Sequence, residues 1–543
     1  MSLLKKSGLA LFAGALFPFA FWPIGIALLS ILSLSLFFIA LNDLKTRSCP
    51  HYAISKRNAL NVRESQRSIH VVCEPRVAEN QGGTAEIVVM STQSKKSAAF
   101  LGFLYGIALF GVGASWIYRS IHDYGQAAPL LAGFLTLLFV LALSCFTAVM
   151  AFVYQSLFSN ALRINKVLGF SFLWVIFEWI RGCFLTGFPW LFVGVSQIDT
   201  PLAGYAPLLG VYGVSLITTF IAALAACLFK STQKQMLWQI GTIMLLIASG
   251  FYCRTLEFTH PKAMMDFALL QGNVAQTIKW DPNHAHATLK AYKALIQSVE
   301  ENTLIILPEA AFPIPLPQSQ DFVDTLEKIA AIKHQTILFG APVSDTHGRY
   351  YNALIATGMY NDVYFKKLLV PFGEFVPFES LLRGLIGFFD LPMSAFIPGA
   401  DNKLILQLGP LTVAPLICYE IAYPEAVRNS AKLSNVIVTV SDDSWFGHSF
   451  GPTQHLEIAA FRALENQKYV LRTTNTGITA LINEKGKVVA KLPRDKIAIL
   501  TGNFEVREGM TPWNKLGTRT MIGLCFILML TLALFELRRA LRK

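Results

Sequence analysis

Three residues whose side chains could take part in nucleophilic catalysis lie at the ends of predicted β-strands in the second half of the chain. Glu309 comes shortly after the apolar run 303–307. Cys418 ends the run 411–417, and Lys366 lies in the stretch YFKKLLVPFGE. Strand ends are where α/β enzymes display reactive groups. A thiol must lose its proton before it attacks a carbonyl carbon, and the oxyanion that forms is stabilised by a cation. Glu309, Lys366 and Cys418 could supply the base, the cation and the nucleophile.

The positions of the cysteines favour this interpretation. Of the eight cysteines, only Cys418 lies within 258–515, so this region has no second cysteine for an internal disulfide. A single cysteine is most often a small buried hydrophobic residue. Because Glu309 and Lys366 occupy similar strand-end settings, we predict that Cys418 is a nucleophile. The prediction includes no metal and no cofactor.

Further residues close to these three are predicted to support them or to bind substrate. Glu374 and Glu420 are interpreted as groups that set the protonation and position of Lys366 and Cys418, with structural ion pairs as the alternative. Tryptophan suits a membrane interface because it is apolar with one polar edge, although it is equally an ordinary core residue. The supporting residues are Glu374, Tyr419 and Glu420, and the predicted substrate-binding residues are Trp280, Trp445 and Asn352; Trp513 is a further interfacial candidate.

The composition indicates a membrane protein. Of 543 residues, 53% are hydrophobic and only 15% are charged, and the mean hydropathy is +0.48. These values exclude an ordinary soluble enzyme and a disordered chain. About eight apolar segments are long enough to be membrane helices, although the first two could form one long or re-entrant segment. They are 8–22, 24–41, 98–117, 128–153, 167–186, 203–229, 236–253 and 519–537.

The basic residues predict the orientation of these segments. The net charge is +12, but no basic run interleaved with aromatic residues indicates nucleic-acid binding. If there are eight spans, the basic residues that flank them fall on one side, which should be the cytoplasm. Both termini are then cytoplasmic and 258–515 faces the periplasm. The flanking residues are Lys5, Lys6, Arg163, Lys166, Lys230, Lys234, Arg538, Arg539, Arg542 and Lys543.

The chain divides into three predicted parts. A transmembrane domain at 1–257 carries seven helices and a polar cytoplasmic loop at 43–97, interpreted as solvated, with possible short strands at 69–73 and 85–90. A catalytic domain at 258–515 shows alternating strand and helix patterns, which indicate an α/β layered fold. A last transmembrane helix and a basic cytoplasmic tail occupy 516–543. In the fifth span, Glu178 and Arg181 share a helix face, either as a structural pair or in contact with substrate.

The motifs around these residues resemble the carbon–nitrogen hydrolase (nitrilase) superfamily, and most closely its membrane branch, the apolipoprotein N-acyltransferase family. This resemblance implies an αββα sandwich and a Glu-Lys-Cys triad. It implies transfer of the sn-1 acyl chain of a phospholipid, through a Cys418 thioester, to the α-amino group of a diacylglyceryl-cysteine at an apolipoprotein N-terminus. It also implies a multi-pass monomer of the bacterial inner membrane. The motifs are EWIRG and TGFPW within 178–190, GVYGVS at 210–215, QGNVAQTIKWDP at 271–282, LPEAAF at 307–312, VPFGEFVP at 370–377, PLICYE at 415–420, SDDSWFG at 441–447, and RALENQ and LRTTNTGITA within 462–480.

The chain departs from the family pattern in places, and other functions are open. Leu368 stands where the superfamily often has His, Asp442 stands where Asn is expected, and the loop at 43–97 is longer than usual. Loops near 373–400 could form a lid or could simply dip into the membrane. One alternative is a membrane-tethered amidase or nitrilase that hydrolyses small amides. Another is a transporter or receptor with a ligand-binding outer domain, but no internal repeat supports it.

Overall fold

The computed structural model describes residues 2–44, 92–376, 395–400 and 402–542. Most of the predicted polar loop at 43–97, including its possible strands, lies outside the described residues, as does the central part of the predicted lid at 373–400. The apolar helices before the sheets are α1 Leu3–Leu16, α2 Leu28–Asn42, α3 Thr92–Gly113, α4 Pro129–Phe158, α5 Arg163–Cys183, α6 Ala206–Cys227 and α7 Gln233–Cys253.

The second half of the chain folds around two six-stranded sheets. One has the strand order β12-β1-β2-β3-β4-β5, and the other has the order β11-β10-β9-β8-β7-β6. The strands are β1 Thr259–Gln271, β2 Leu304–Ile306, β3 Thr336–Ser344, β4 Tyr350–Gly358, β5 Asp362–Phe365, β6 Leu406–Leu408, β7 Leu411–Ile417, β8 Val436–Ser441, β9 Val470–Thr474, β10 Ala480–Ile482, β11 Val488–Lys491 and β12 Ala498–Gly509. The remaining helices are α8 Gln276–Lys279, α9 Pro282–Gln297, α10 Gln320–Ile332, α11 Pro424–Ala431, α12 Gly451–Asn466 and α13 Pro512–Leu541.

Three apolar cores explain the layering. The inner faces of the two sheets share one core, to which β2 contributes Ile306 and β8 contributes Val438. Helices α9 and α10 cover the outer face of the first sheet, where Tyr292 and Leu326 are buried. Helices α11 and α12 cover the second sheet, and their core is continuous with that of the membrane helices. Each layer removes apolar surface from water, which stabilises the stack. The predicted αββα sandwich is confirmed.

Within the described residues, seven helices are long and apolar enough to cross a membrane. The first of them joins α1 to a short 3-10 turn and covers Leu3–Ala20. Helix α2 has 15 residues, which span about 22 Å, against about 30 Å of hydrocarbon in a bilayer. The prediction of about eight apolar helical segments is therefore confirmed, with the second shorter than a full span.

Contacts at the helix ends place the sandwich on one side of the membrane helices. Lys6 near the start of α1 donates a 2.6 Å hydrogen bond to the carbonyl of Asp43 after α2, so these ends meet. Trp22 in the turn between the two helices donates its backbone N–H to Glu457 of α12, 3.1 Å away. The turn between α1 and α2 thus faces the sandwich, whereas the start of α1 and the end of α2 lie on the opposite side. At that opposite side, Glu536 near the end of α13 accepts hydrogen bonds from the start of α5.

A tight helix contact joins α13 to the kink in α6. Gly210 has φ +68°, a conformation that favours glycine. A Cβ at this position would lie 2.6 Å from the Trp513 ring. Trp513 is 0% exposed. Of the two interpretations of this tryptophan, the structure therefore favours the core residue.

Candidate active site

The ends of three strands from both sheets bring the predicted catalytic residues to one end of the sandwich. Glu309 follows β2, Lys366 follows β5, and Cys418 follows β7. Cys418 has φ +55°, a left-handed conformation that costs a non-glycine residue about 1–2 kcal/mol. The surrounding hydrogen bonds must hold this turn against its strain. Strain of this kind clusters at functional sites.

Lys366 lies between two carboxylates. Its Nζ is 3.1 Å from Oε1 of Glu309 and 2.9 Å from the Glu374 carboxylate. Asn352 bridges the same two groups, since its amide nitrogen donates to Glu309 at 2.8 Å and to Glu374 at 2.9 Å. All four side chains are buried. Glu374 thus contacts Lys366 directly, whereas Asn352, predicted to bind substrate, uses its amide N–H groups to hold the carboxylates.

The network keeps a buried lysine charged. Burial by itself lowers the pKa of Lys366, because it disfavours the ammonium form. The carboxylates of Glu309 and Glu374 outweigh this effect and raise the pKa of Lys366 well above its usual value. The lysine therefore stays a cation throughout the neutral range. A fixed cation in a site closed to water is suited to stabilise a negative oxygen.

The Cys418 thiol lies beside this network and is protonated at rest. Burial raises the pKa of the Cys418 thiol well above its usual range. The nearby Glu309 carboxylate raises it further, and the Lys366 cation opposes that increase. Because the thiolate is scarce at neutral pH, attack by Cys418 requires a base that removes the proton as the bond forms.

Glu420 holds the turn at Cys418 against the segment that carries Lys366. Its Oε2 accepts the backbone N–H of Ile417 at 2.9 Å. Its Oε1 accepts the backbone N–H groups of Lys367 at 2.8 Å and Leu368 at 3.1 Å. Burial raises the pKa of Glu420, and these hydrogen bonds act against that rise. The carboxylate thus fixes the turn at Cys418 in the second sheet relative to the lysine segment of the first.

Comparison with known proteins identifies the family. Residues 85–224 match the family described as apolipoprotein N-acyltransferase N-terminal domain, and residues 267–510 match carbon-nitrogen hydrolase. The chain is 40% identical over 428 residues to apolipoprotein N-acyltransferase of Pseudomonas syringae pv. tomato, covering 77% of this chain and 85% of that protein. It is 37% identical over 436 residues to the Coxiella burnetii protein of the same name, and the match covers 79% of this chain and 89% of that protein. The chain belongs to the apolipoprotein N-acyltransferase family.

Two solved structures that resemble this chain each cover less than half of it. A Saccharomyces cerevisiae member of branch 10 of the nitrilase superfamily is 18% identical, with a TM-score of 0.34, over 45% of this chain and 91% of that one. An amidase from Nesterenkonia sp. is also 18% identical, with a TM-score of 0.33, and the match covers 46% of this chain and 92% of the amidase. Family membership therefore rests on the sequence relatives, and it makes this chain a membrane-bound N-acyltransferase.

In this N-acyltransferase, Tyr419 connects the site to the membrane helices. Its hydroxyl donates to the carbonyl of Gly187 at 3.2 Å, in the TGFPW segment. Its ring stacks on Trp190 of the same segment, with centroids 6.4 Å apart. The residue after Cys418 is thus anchored to the TGFPW segment between the membrane helices, and its supporting role stays a prediction.

The two predicted substrate-binding tryptophans lie in different settings. Trp280 is half-buried directly after α8, and its Nε1 has no hydrogen-bond partner among the residues that the structure describes. Trp445 lies in the 3-10 turn after β8, and its carbonyl accepts a 2.7 Å hydrogen bond from Ser120, between α3 and α4. The Trp445 ring lies 6.0 Å from the Tyr124 ring. Trp445 therefore joins the sandwich to a membrane-domain loop.

Glu178 and Arg181 of α5 hold the loop that follows the helix. Arg181 donates to the carbonyls of Phe188 at 2.7 Å and Trp190 at 2.6 Å. Glu178 accepts the backbone N–H of Val193 at 2.7 Å. Buried polar groups at this depth require such partners. Of the two interpretations of Glu178 and Arg181, these contacts favour the structural one.

Sequence reasoning missed a buried cluster beneath Cys418. His455 of α12 lies 3.2 Å from the Cys418 carbonyl through Nε2 and 3.0 Å from Asp443 through Nδ1. Arg472 of β9 donates to Asp443 at 2.6 Å. Burial lowers the pKa of His455, and the Arg472 charge lowers it further. The quoted motifs contain Asp443 and Arg472, but no spacing rule assigns them a role. Among the described residues, no group of His, Cys, Asp and Glu could hold a metal ion.

Proposed function

We propose that this chain transfers an acyl chain from a membrane phospholipid, through a thioester on Cys418, to the α-amino group of the diacylglyceryl-cysteine at the N-terminus of apolipoproteins. The observation that carries the proposal is the buried Lys366 cation, held by Glu309 and Glu374 beside a protonated thiol. Such a site has a base, a nucleophile and a cation for the oxyanion. The relatives named apolipoprotein N-acyltransferase support the choice of substrates.

In the first half-reaction, Glu309 accepts the Cys418 proton while Sγ bonds to the carbonyl carbon of the phospholipid ester. The carbonyl oxygen becomes an oxyanion that Lys366 stabilises. Collapse of this intermediate breaks the ester C–O bond, and the leaving alkoxide takes the proton from Glu309. A lysophospholipid departs, and the acyl chain remains on Cys418 as a thioester.

In the second half-reaction, the α-amino group of the apolipoprotein attacks the thioester carbonyl carbon. The new C–N bond forms, the oxyanion again faces Lys366, and the C–S bond breaks as the Cys418 thiolate leaves. Glu309 accepts the proton that the amine loses and returns it to the thiolate. The enzyme thereby regains its resting protonation state.

The location follows from the substrates, both of which are lipid-anchored. We place the chain in the bacterial inner membrane as a monomer, with residues 258–515 in the periplasm, 1–257 as the transmembrane domain and 516–543 as the last helix and cytoplasmic tail. The contacts of Tyr419 and Trp445 with membrane-domain segments support a site close to the bilayer surface. The basic residues that flank the helices favour the cytoplasm for the opposite side.

The order of the half-reactions is open to a direct test. Incubation of the purified enzyme with phospholipid alone should release about one lysophospholipid per active site and leave an acyl adduct on Cys418, because a covalent intermediate gives a burst of first product. Mass spectrometry of the protein and of the lipids measures both. Addition of a diacylated lipopeptide should then discharge the adduct. Release of lysophospholipid only when the acceptor is present would show a ternary mechanism instead.

The proposed orientation predicts the activity of fused reporters. A reporter that is active only outside the cytoplasm should be active when fused after Gly509, at the end of β12, and inactive when fused after Lys543. The reason is that α13 returns the chain to the side opposite the sandwich. Equal amounts of both fusions, checked by immunoblot, provide the control. The reverse pattern would contradict the orientation and the access to periplasmic apolipoproteins.

A further inference from the structure

A second buried lysine–carboxylate pair lies behind Glu309. Lys279 ends α8, and its Nζ contacts Oδ2 of Asp442, the residue after β8. Their side chains are only 4% and 6% exposed. Removing two charges from water is costly unless geometry and further hydrogen bonds compensate. The two residues are 163 positions apart in the chain, so the pair exists only in the folded sandwich.

Both members of this pair also bind Glu309. Lys279 Nζ donates to the Glu309 backbone carbonyl at 3.1 Å. The backbone N–H of Asp442 donates to Oε2 of Glu309 at 3.0 Å. Asp442 is itself held, since its Oδ1 accepts from the Ser444 hydroxyl at 2.5 Å and from the Ser444 backbone N–H at 3.2 Å. Lys279 thus holds the main chain of Glu309, and Asp442 holds the Glu309 carboxylate.

These contacts make the two carboxylate oxygens of Glu309 unequal. Oε1 accepts from the Lys366 ammonium at 3.1 Å and from Asn352 at 2.8 Å. Oε2 accepts one neutral backbone N–H, that of Asp442. Hydrogen bonds from a cation stabilise the charged form of an oxygen and reduce its affinity for a proton. Oε2 is therefore the oxygen better placed to take a proton, and the Asp442 backbone N–H holds it.

We propose that Lys279 and Asp442 are positioning residues that act through Glu309. They orient Oε2 to take the proton of the nucleophile, and their opposite charges cancel at the base. Without the Asp442 carboxylate, Glu309 would face the uncompensated Lys279 cation in addition to Lys366, which would disfavour the protonated form of a carboxylate. Without the Lys279 ammonium, the uncompensated Asp442 carboxylate would favour the protonated form of a neighbouring carboxylate. The balanced pair leaves Lys366 as the cation in direct contact with the Glu309 carboxylate.

The charged groups around Glu309 come from several elements. Lys366 follows β5 and has Glu374 as its second partner. The Cys418 thiol follows β7 and interacts electrostatically with Glu309. Lys279 comes from α8 and Asp442 from the end of β8. Beyond the nucleophile lie Asp443 of the 3-10 turn, His455 of α12 and Arg472 of β9. None of these groups is altered in the variants below except Lys279 and Asp442.

The test is the pH dependence of Cys418 acylation by phospholipid alone, which rests on the acyl-enzyme of the proposed function. Asp442→Asn should move the acidic limb of the pH profile of the single-turnover rate about one unit to lower pH, because the Lys279 cation then lacks its counter-charge and favours the charged form of a neighbouring carboxylate. The plateau rate should fall about tenfold, because a weaker base assists proton transfer less. Lys279→Met should move the limb in the opposite direction. The double variant Lys279→Met/Asp442→Asn should bring the limb back toward that of the wild type.

The controls separate this role from a purely structural one. Lys262 and Glu508 form an exposed ion pair on the sandwich, and Lys262→Met/Glu508→Gln should leave the limb unchanged. Thermal unfolding in detergent reports the stability of every variant. An unshifted limb in both single variants, whatever their stability, would show that the pair only supports the fold and would overturn the inference. Absence of an acyl-enzyme in the wild type would instead overturn the proposed function, and with it this inference.

Discussion

Cys418→Ala is expected to abolish both formation of the acyl-enzyme and transfer to the lipopeptide. Removing Sγ removes the atom that carries the acyl chain, and members of a catalytic unit typically contribute about 10⁴-fold or more in rate. The variant should fold, because the left-handed turn at position 418 is held by Glu420 and by backbone contacts rather than by the thiol. Mass spectrometry of the adduct and a lipopeptide transfer assay give the two readouts.

A matched cysteine variant provides the control for this loss. Cys145 is an exposed thiol on α4, far from the sandwich in the chain. Cys145→Ala should retain the acyl adduct and wild-type transfer, because no part of the proposed chemistry uses that thiol. An acyl adduct that persists in Cys418→Ala, or transfer at the wild-type rate, would show that another residue is the nucleophile.

Glu309→Gln and Lys366→Met are each expected to slow acylation by about a thousandfold or more, since the base, the cation and the thiol act as a unit. Glutamine has the shape of glutamate, and its one carbonyl oxygen can still accept from Lys366 and Asn352. Its NH2 group then faces the Asp442 backbone N–H, and the proton acceptor is lost. Single-turnover release of lysophospholipid measures the rate. Burial still raises the pKa of the Cys418 thiol in the Glu309 variant, so the attack lacks the base that would remove the proton.

The lysine substitution needs a companion double variant, because it leaves Glu309 and Glu374 facing each other without their shared cation. Breaking a buried pair by removal of one partner costs about 3–5 kcal/mol. Lys366→Met/Glu374→Gln removes one of the two carboxylates and should recover stability without activity. Glu425→Gln, in an ion pair on α11, is a carboxylate control that should stay active. Wild-type activity of a folded Glu309 or Lys366 variant would contradict its assigned role.

Local patterns in the sequence predicted much of the sandwich and missed particular strands for physical reasons. The continuous apolar runs at 303–307 and 411–417 contain β2 and β7 in the structure. Strand β9 was not predicted, because Arg472 interrupts its apolar pattern. That arginine is buried only because Asp443, which is distant in the chain, pairs with it. Strand β11 is four residues long with alternating exposure, which is too short a pattern to distinguish from a turn.

The sequence by itself determined the membrane class, the layered α/β fold and the three candidate catalytic residues, because hydropathy and strand periodicity are local properties of the chain. Only the tertiary structure decided which groups surround each candidate. It showed that Asn352 holds two carboxylates and that Lys279 and Asp442 meet behind Glu309. Those contacts join residues tens to more than a hundred positions apart. The Asn352 contacts are set by the order of strands within one sheet, and the Lys279–Asp442 contact is set by the packing of one sheet on the other. No local pattern encodes either arrangement.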